Sequence, residues 1–219
     1  MTSRASRRFI AFVLAAAGLV AASPAFAGPP LLCHPFQIGS ARSLPWDGRT
    51  AWFEGRADYK LNTLVADTES ILGPSTPVIV RMETLRRAAI YASRDQVVAV
   101  ELLKRLSDRV HEAGDGAAVA YLDLAYVVGA FKQISALDRQ TSPFKGRAAY
   151  LLPLVTRLDA YALVRKSLLL EPGNPSLEFA AALIAADTDR AAYEAHARRA
   201  RAGANADSLL ALNIGAVSH

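Results

Sequence analysis

An all-α fold is predicted for this chain, and three features of its sequence predict it. No proline occurs between Val78 and Ser142. Alanine, leucine and arginine, all strong helix formers, dominate that stretch. Apolar residues there recur at helical spacing: Val78, Met82, Leu85 and Ala89 advance by 4, 3 and 4 and fall on one face. The reading is an array of antiparallel helical hairpins, about seven or eight helices in all, with an irregular N-terminal strap.

Residues 1–27 read as a signal peptide. Arg4, Arg7 and Arg8 form a cationic start, Phe9 to Ala22 an apolar run, and Ser23-Pro24 a break. Ala25-Phe26-Ala27 supplies the small-x-small pattern read by a signal peptidase, which predicts cleavage after Ala27. An uncleaved anchor is the rival reading, and the short apolar run argues against it. Ser6-Arg7-Arg8 leaves twin-arginine export open, although Phe9-Ile10-Ala11-Phe12 fits the general secretory route better. The expected location is the periplasm or beyond.

Cleavage changes the charge. The full chain carries 25 Lys+Arg against 20 Asp+Glu, a net of +5. The leader holds three of the arginines and no acid, which leaves 22 against 20. That excess gives no basic footprint for nucleic acid. The single cysteine, Cys33, allows no intramolecular disulfide, and Pro30-Leu31-Leu32 before it is not a lipid-attachment pattern.

Residues 28–56 carry Pro29, Pro30, Pro35 and Pro45, which bar regular helix. Both tryptophans, Trp46 and Trp52, lie here with Phe36 and Phe53. So many aromatics predict a strap docked on the helical body, anchored by Phe36, Trp46 and Trp52, and not a disordered tether.

Residues 57–138 read as helical hairpins. A first helix is predicted from Ala57 to Leu72, ended by Gly73-Pro74. Thr76 is the predicted cap of the second, with Pro77 as its first residue. Ser93 and Gln96 suggest a capping box for the third, with Val97, Val100, Leu103 and Val110 as its buried stripe. The fourth, Gly116 to Ile134, is apolar nearly all round and therefore central. Asp123 and Gly129 interrupt it too much for a membrane span.

Residues 139–219 contain the spacing Ala160, Val164 and Pro172, then Asn174 as a cap and Pro175 at the first helical position. Ser142 is the expected cap of the preceding half, with Phe144, Ala148 and Leu151 as packing residues. Over residues 142 to 203 this resembles tetratricopeptide repeats, about one and a half units. The match departs at Arg147, where leucine is expected, and at Glu178, Ala181 and Ala185 in the following helix. A short last helix is expected over Asp207 to Leu212. Leu32-Cys33-His34-Pro35-Phe36, Ser43-Leu44-Pro45-Trp46 and Arg81-Met82-Glu83-Thr84-Leu85-Arg86-Arg87-Ala88 resemble a group of exported bacterial proteins without assigned function. That resemblance implies export and a helical body.

Catalytic patterns are sparse. The chain has no G-x-S-x-G, no phosphate loop, no H-E-x-x-H and no C-x-x-C-H. Gly114-Asp115-Gly116 follows a helix, the wrong context for dinucleotide binding. Cys33 and His34 are the one adjacent pair with intrinsic reactivity, as thiol or metal ligands. Arg81, Arg86 and Arg87, with Tyr91, can line a groove for a carboxylate or an acidic peptide; the plain alternative is a solvated face with a Glu83–Arg87 surface pair. The preferred reading is a non-catalytic adaptor of the cell envelope that binds a protein or peptide at Arg81, Arg87 and Tyr91, with no cofactor, no metal and no nucleic acid. The alternatives are a metal-binding protein or enzyme using Cys33 and His34, and a self-associating structural subunit.

Overall fold

The computed structural model describes residues 28–47, 51–139 and 142–217. The leader expected over residues 1–27 lies outside them, as does His219. Among the described residues there are nine α-helices and no strand, so the predicted class holds. They are α1 (Leu64–Ile71), α2 (Val78–Ala92), α3 (Gln96–Glu112), α4 (Ala117–Ala136), α5 (Ala148–Val155), α6 (Ala160–Leu170), α7 (Pro175–Ala185), α8 (Arg190–Gly203) and α9 (Ser208–Asn213).

The central helix is α4, which packs against α2, α3, α5, α6 and α7. It is long and apolar enough to cross a bilayer, but 78% of that stretch is buried inside the protein. Its two sequence interruptions are packing devices. Asp123 pairs with Arg81 of α2. Gly129 makes a notch for Leu31 of the strap: a Cβ there would lie 2.7 Å from Leu31 Cδ1. In the C-terminal part the buried helix is α7, whose residues from Ser176 to Ala185 are all buried. It packs chiefly on α8, and Pro175 sits so close to Gly203 that a Cβ on the glycine would collide with it.

Several expected boundaries shift, each for a local reason. The first helix begins at Leu64 after a 3-10 turn, not at Ala57. Residues 56–60 are held out of it by the Arg56–Asp58 pair and by the Arg56 N–H, which donates to Tyr91 Oη at 2.8 Å. Thr76 does not cap α2; its hydroxyl donates to the Ile71 carbonyl across the loop. Ser93 is the end of α2, where its hydroxyl donates to Ile90, and Asp95 caps α3 by accepting from Val97 and Val98. The buried stripe of α3 keeps the expected Leu103 but otherwise consists of Val98, Ala99, Leu102 and Leu106. Val97 and Val100, expected inside, are 64% and 40% exposed.

In the C-terminal part, Asn174 caps α7 with Pro175 at its first position, as the sequence predicts. Asp159, Asp189 and Asp207 cap α6, α8 and α9. Ser142 forms only a local turn with the Phe144 N–H. Asp138 takes up the N–H groups of Gly146 and Ala148, so α5 starts at Ala148 and is only eight residues long.

No helix or strand occurs in residues 28–47 and 51–56, yet the segment is anchored by aromatic packing. Phe36 meets Phe179 edge-on at 6.0 Å, Trp46 meets Tyr91 edge-on at 5.5 Å, and Trp52 lies 5.8 Å from Phe144. Such pairs add about 0.5–1.5 kcal/mol beyond their buried area.

Candidate functional site

The strap has no secondary structure to satisfy its main chain, so side chains of the helical body must do so. The middle of α2 supplies most of them. Every residue of α2 except Arg87 is buried, because the apolar stripe faces the core and the strap covers the polar side. Glu83 and Arg86 are both fully buried and joined by two bonds of 2.8 and 2.9 Å. Glu83 also receives Arg87 Nε at 2.6 Å and the N–H of Phe36 at 3.0 Å. The expected surface pair of Glu83 and Arg87 is thus part of a buried network.

The cations hold strap carbonyls. Arg86 donates to Leu32 and Trp52, and Arg87 to Leu44 at 2.5 Å. Tyr91 donates to Pro45 at 2.7 Å, and Tyr126 of α4 to Leu31 at 2.7 Å. At the far end, Asn213 of α9 exchanges two bonds with the main chain of Gln37, at 2.8 and 2.9 Å. Arg86 further stacks over Trp46, 4.8 Å from the ring centroid. Burial pushes the Tyr91 and Tyr126 phenols upward, so both remain neutral donors.

This corrects the open arginine groove. Arg87 and Tyr91 do share one site, but the strap fills it. Arg81 is not part of it: it is fully buried and pairs with Asp123 at 2.7 Å on the other side of α2. Cys33 and His34 do not converge either. Cys33 is half-buried and packs so closely on Gly28 that a side chain there would collide with its sulfur, while His34 is exposed. Burial raises the Cys33 thiol to about 11, against a smaller lowering by Arg86. Among the described residues no group of three or more His, Cys, Asp or Glu side chains is placed to hold a metal ion. Sequence reasoning names Arg86 and the Glu83–Arg87 pair without their burial, although Glu83-x-x-Arg86-Arg87 inside an apolar helix marks a place where charge must be buried; the roles of Tyr126 and Asn213 escape it.

A second polar cluster joins α6, α7 and α8. Glu178 lies 2.5 Å from His196 Nδ1, and Tyr161 Oη lies 2.9 Å from His196 Nε2. A carboxylate only accepts, so Nδ1 donates to Glu178. Arg199 Nη2 also approaches Nδ1, but two donors cannot bond, and its productive contact is Nε to Glu178 Oε1 at 2.8 Å. Each ring nitrogen and each Glu178 oxygen is engaged within the cluster, which ties three helices together.

Compared with protein-family models, curated proteins and solved structures, this chain matches none.

Proposed function

We propose that this protein is an exported, non-catalytic helical adaptor that binds an extended segment of a protein partner on the α2 face, in the place its own strap takes. The observation that supports this reading is the way the helical body grips an extended chain. Arg86, Arg87, Tyr91 and Tyr126 bind carbonyls and Glu83 binds an amide, with aromatic anchors filling pockets between them. Main-chain contacts give affinity to segments of different sequence, and anchors give selectivity. The leader pattern of residues 1–27 supports export, and the tetratricopeptide-like spacing of residues 142–203 fits a binding scaffold. The thiol or metal alternative is weakened by Cys33, which keeps its proton at neutral pH.

A groove filled by its own chain binds other segments in proportion to the fraction of time it is open. Panning a peptide-display library on the full-length protein and on its Trp46→Ala variant tests the reading. Trp46→Ala removes an anchor and is expected to enrich extended, aromatic-containing peptides more strongly than wild type. Adding Arg87→Ala should reverse that gain. A folded Trp46→Ala protein that enriches nothing above background would rule out the α2 face as a binding site.

A further inference from the structure

Where α4, the start of α6 and the end of α7 converge there is a cavity of about 250 Å³. Gly129, Lys132, Gln133 and Ala136, which share one face of α4, form one wall, from a buried glycine to an exposed alanine. The floor is apolar. Leu31, Ala160 and Ile184 line it, and Gly129 keeps it close-set: a Cβ there would meet both Leu31 and Ala160. The rim is polar and open to solvent. Asp159, Asp187 and Thr188 all line the cavity and all are exposed, so an occupant reaches them directly.

Charge at this rim is unbalanced. Asp187 Oδ2 receives Gln133 Nε2 at 2.7 Å, and Gln133 Oε1 receives the Leu31 N–H at 3.0 Å, which holds that carboxylate at the mouth. Asp159 Oδ1 receives the N–H groups of Tyr161 and Ala162 at 2.9 and 3.0 Å. These partners are all neutral, and neither aspartate forms an ion pair among the described residues. Lys132 is the one cation in the lining, and its ammonium donates to the Leu158 carbonyl at 2.5 Å. Two carboxylates therefore meet one ammonium. The helix ends do not restore the balance. Asp159 itself answers the positive start of α6, whereas α7 ends at Ala185, close to Asp187, with no basic residue in its last turn. One further positive charge balances the rim, and a hydrocarbon body suits the floor.

We infer that this cavity binds a small primary ammonium with an apolar body, its N–H groups on Asp187 in the field of Asp159 and its hydrocarbon against Leu31, Ala160 and Ile184. An anion would meet both carboxylates without a free cation to hold it. The cavity stands apart from the α2 clasp. Leu31 is the one strap residue in its lining, so binding here neither requires nor excludes a partner at Arg87 and Tyr91.

Cyclohexylamine, protonated at neutral pH, is the probe, titrated into the isotope-labelled full-length protein and followed by two-dimensional amide NMR. Saturable shifts in the millimolar range are expected at Gln133, Ile184 and Thr188. Cyclohexanol has the same body without the charge and should bind about tenfold more weakly. Cyclohexanecarboxylate should not saturate. Asp187→Asn removes one charge at an exposed position and keeps an acceptor for Gln133. That variant should retain the helical signal and lose the advantage of the ammonium over the alcohol. Equal binding of the two by the wild type, or an advantage that survives Asp187→Asn, would overturn the assignment. Shifts that never saturate, or that saturate only at residues away from the cavity, would overturn it too.

Discussion

Glu83 and Arg86, one turn apart on α2, meet through two hydrogen bonds with neither side chain exposed. A buried pair of this kind stabilises little against an apolar replacement of both members, but losing one member strands the other. Glu83→Ala leaves Arg86 uncompensated and the Phe36 N–H without its acceptor. The expected loss is about 3–5 kcal/mol, read from the shift of the urea midpoint. A loss below about 1 kcal/mol would show that the network is looser than its geometry implies.

The two tryptophans of the chain both belong to the strap, so their fluorescence reports on its docking. Native emission should be blue-shifted. It should move to the red in one transition that coincides with loss of far-ultraviolet circular dichroism. An earlier fluorescence transition would separate strap release from global unfolding.

The buried stripe of α3 is open to a direct comparison. Leu102→Ala empties a core position and should cost about 2–5 kcal/mol. Val97→Ala should stay within about 0.5 kcal/mol, because that side chain is mostly in water. Costs in the opposite order would restore the stripe read from the sequence.

These corrections show which parts of the fold the sequence exposes. Helix class, the central place of α4 and the Asn174-Pro175 start follow from local chemistry, which is present in the chain itself. The start of α3 is not legible locally, because Ser93 and Asp95 both suit a cap and only tertiary context decides between them. With Ser93 bonded back to Ile90, Asp95 takes the cap, and the core covers Val98, Ala99, Leu102 and Leu106 along with the expected Leu103. The clasp was half legible. Arg87 and Tyr91 stand out as polar residues on an apolar helix, but nothing local reveals that their partner is a segment about forty residues upstream. Arg81 looks identical in type and lies on the opposite side.

The Cys33 thiol gives a pH prediction. Its folded value of about 11 lies above the ordinary 9.0. The unfolded chain therefore loses this proton first as pH rises. From about pH 9 to 11 the unfolded state binds fewer protons than the native state, so the contribution to stability falls across that window and is constant below it. Cys33→Ser should remove this alkaline slope. Reaction of the native thiol with a disulfide reagent should be slow at neutral pH and quicken as pH approaches 11; fast labelling at neutral pH would contradict the burial that raises it.

The bonds between Gln37 and Asn213 span 176 residues of sequence. The strap precedes every helix, yet one of its fastenings is made by α9, the last α-helix of the described residues. Leu31 seats against Gly129 of α4 and Phe36 against Phe179 of α7, so the strap is fastened along nearly the whole order of helices and not to its neighbours alone. Loss of α9 would be felt at the other end of the described chain, as a strap freed at Gln37.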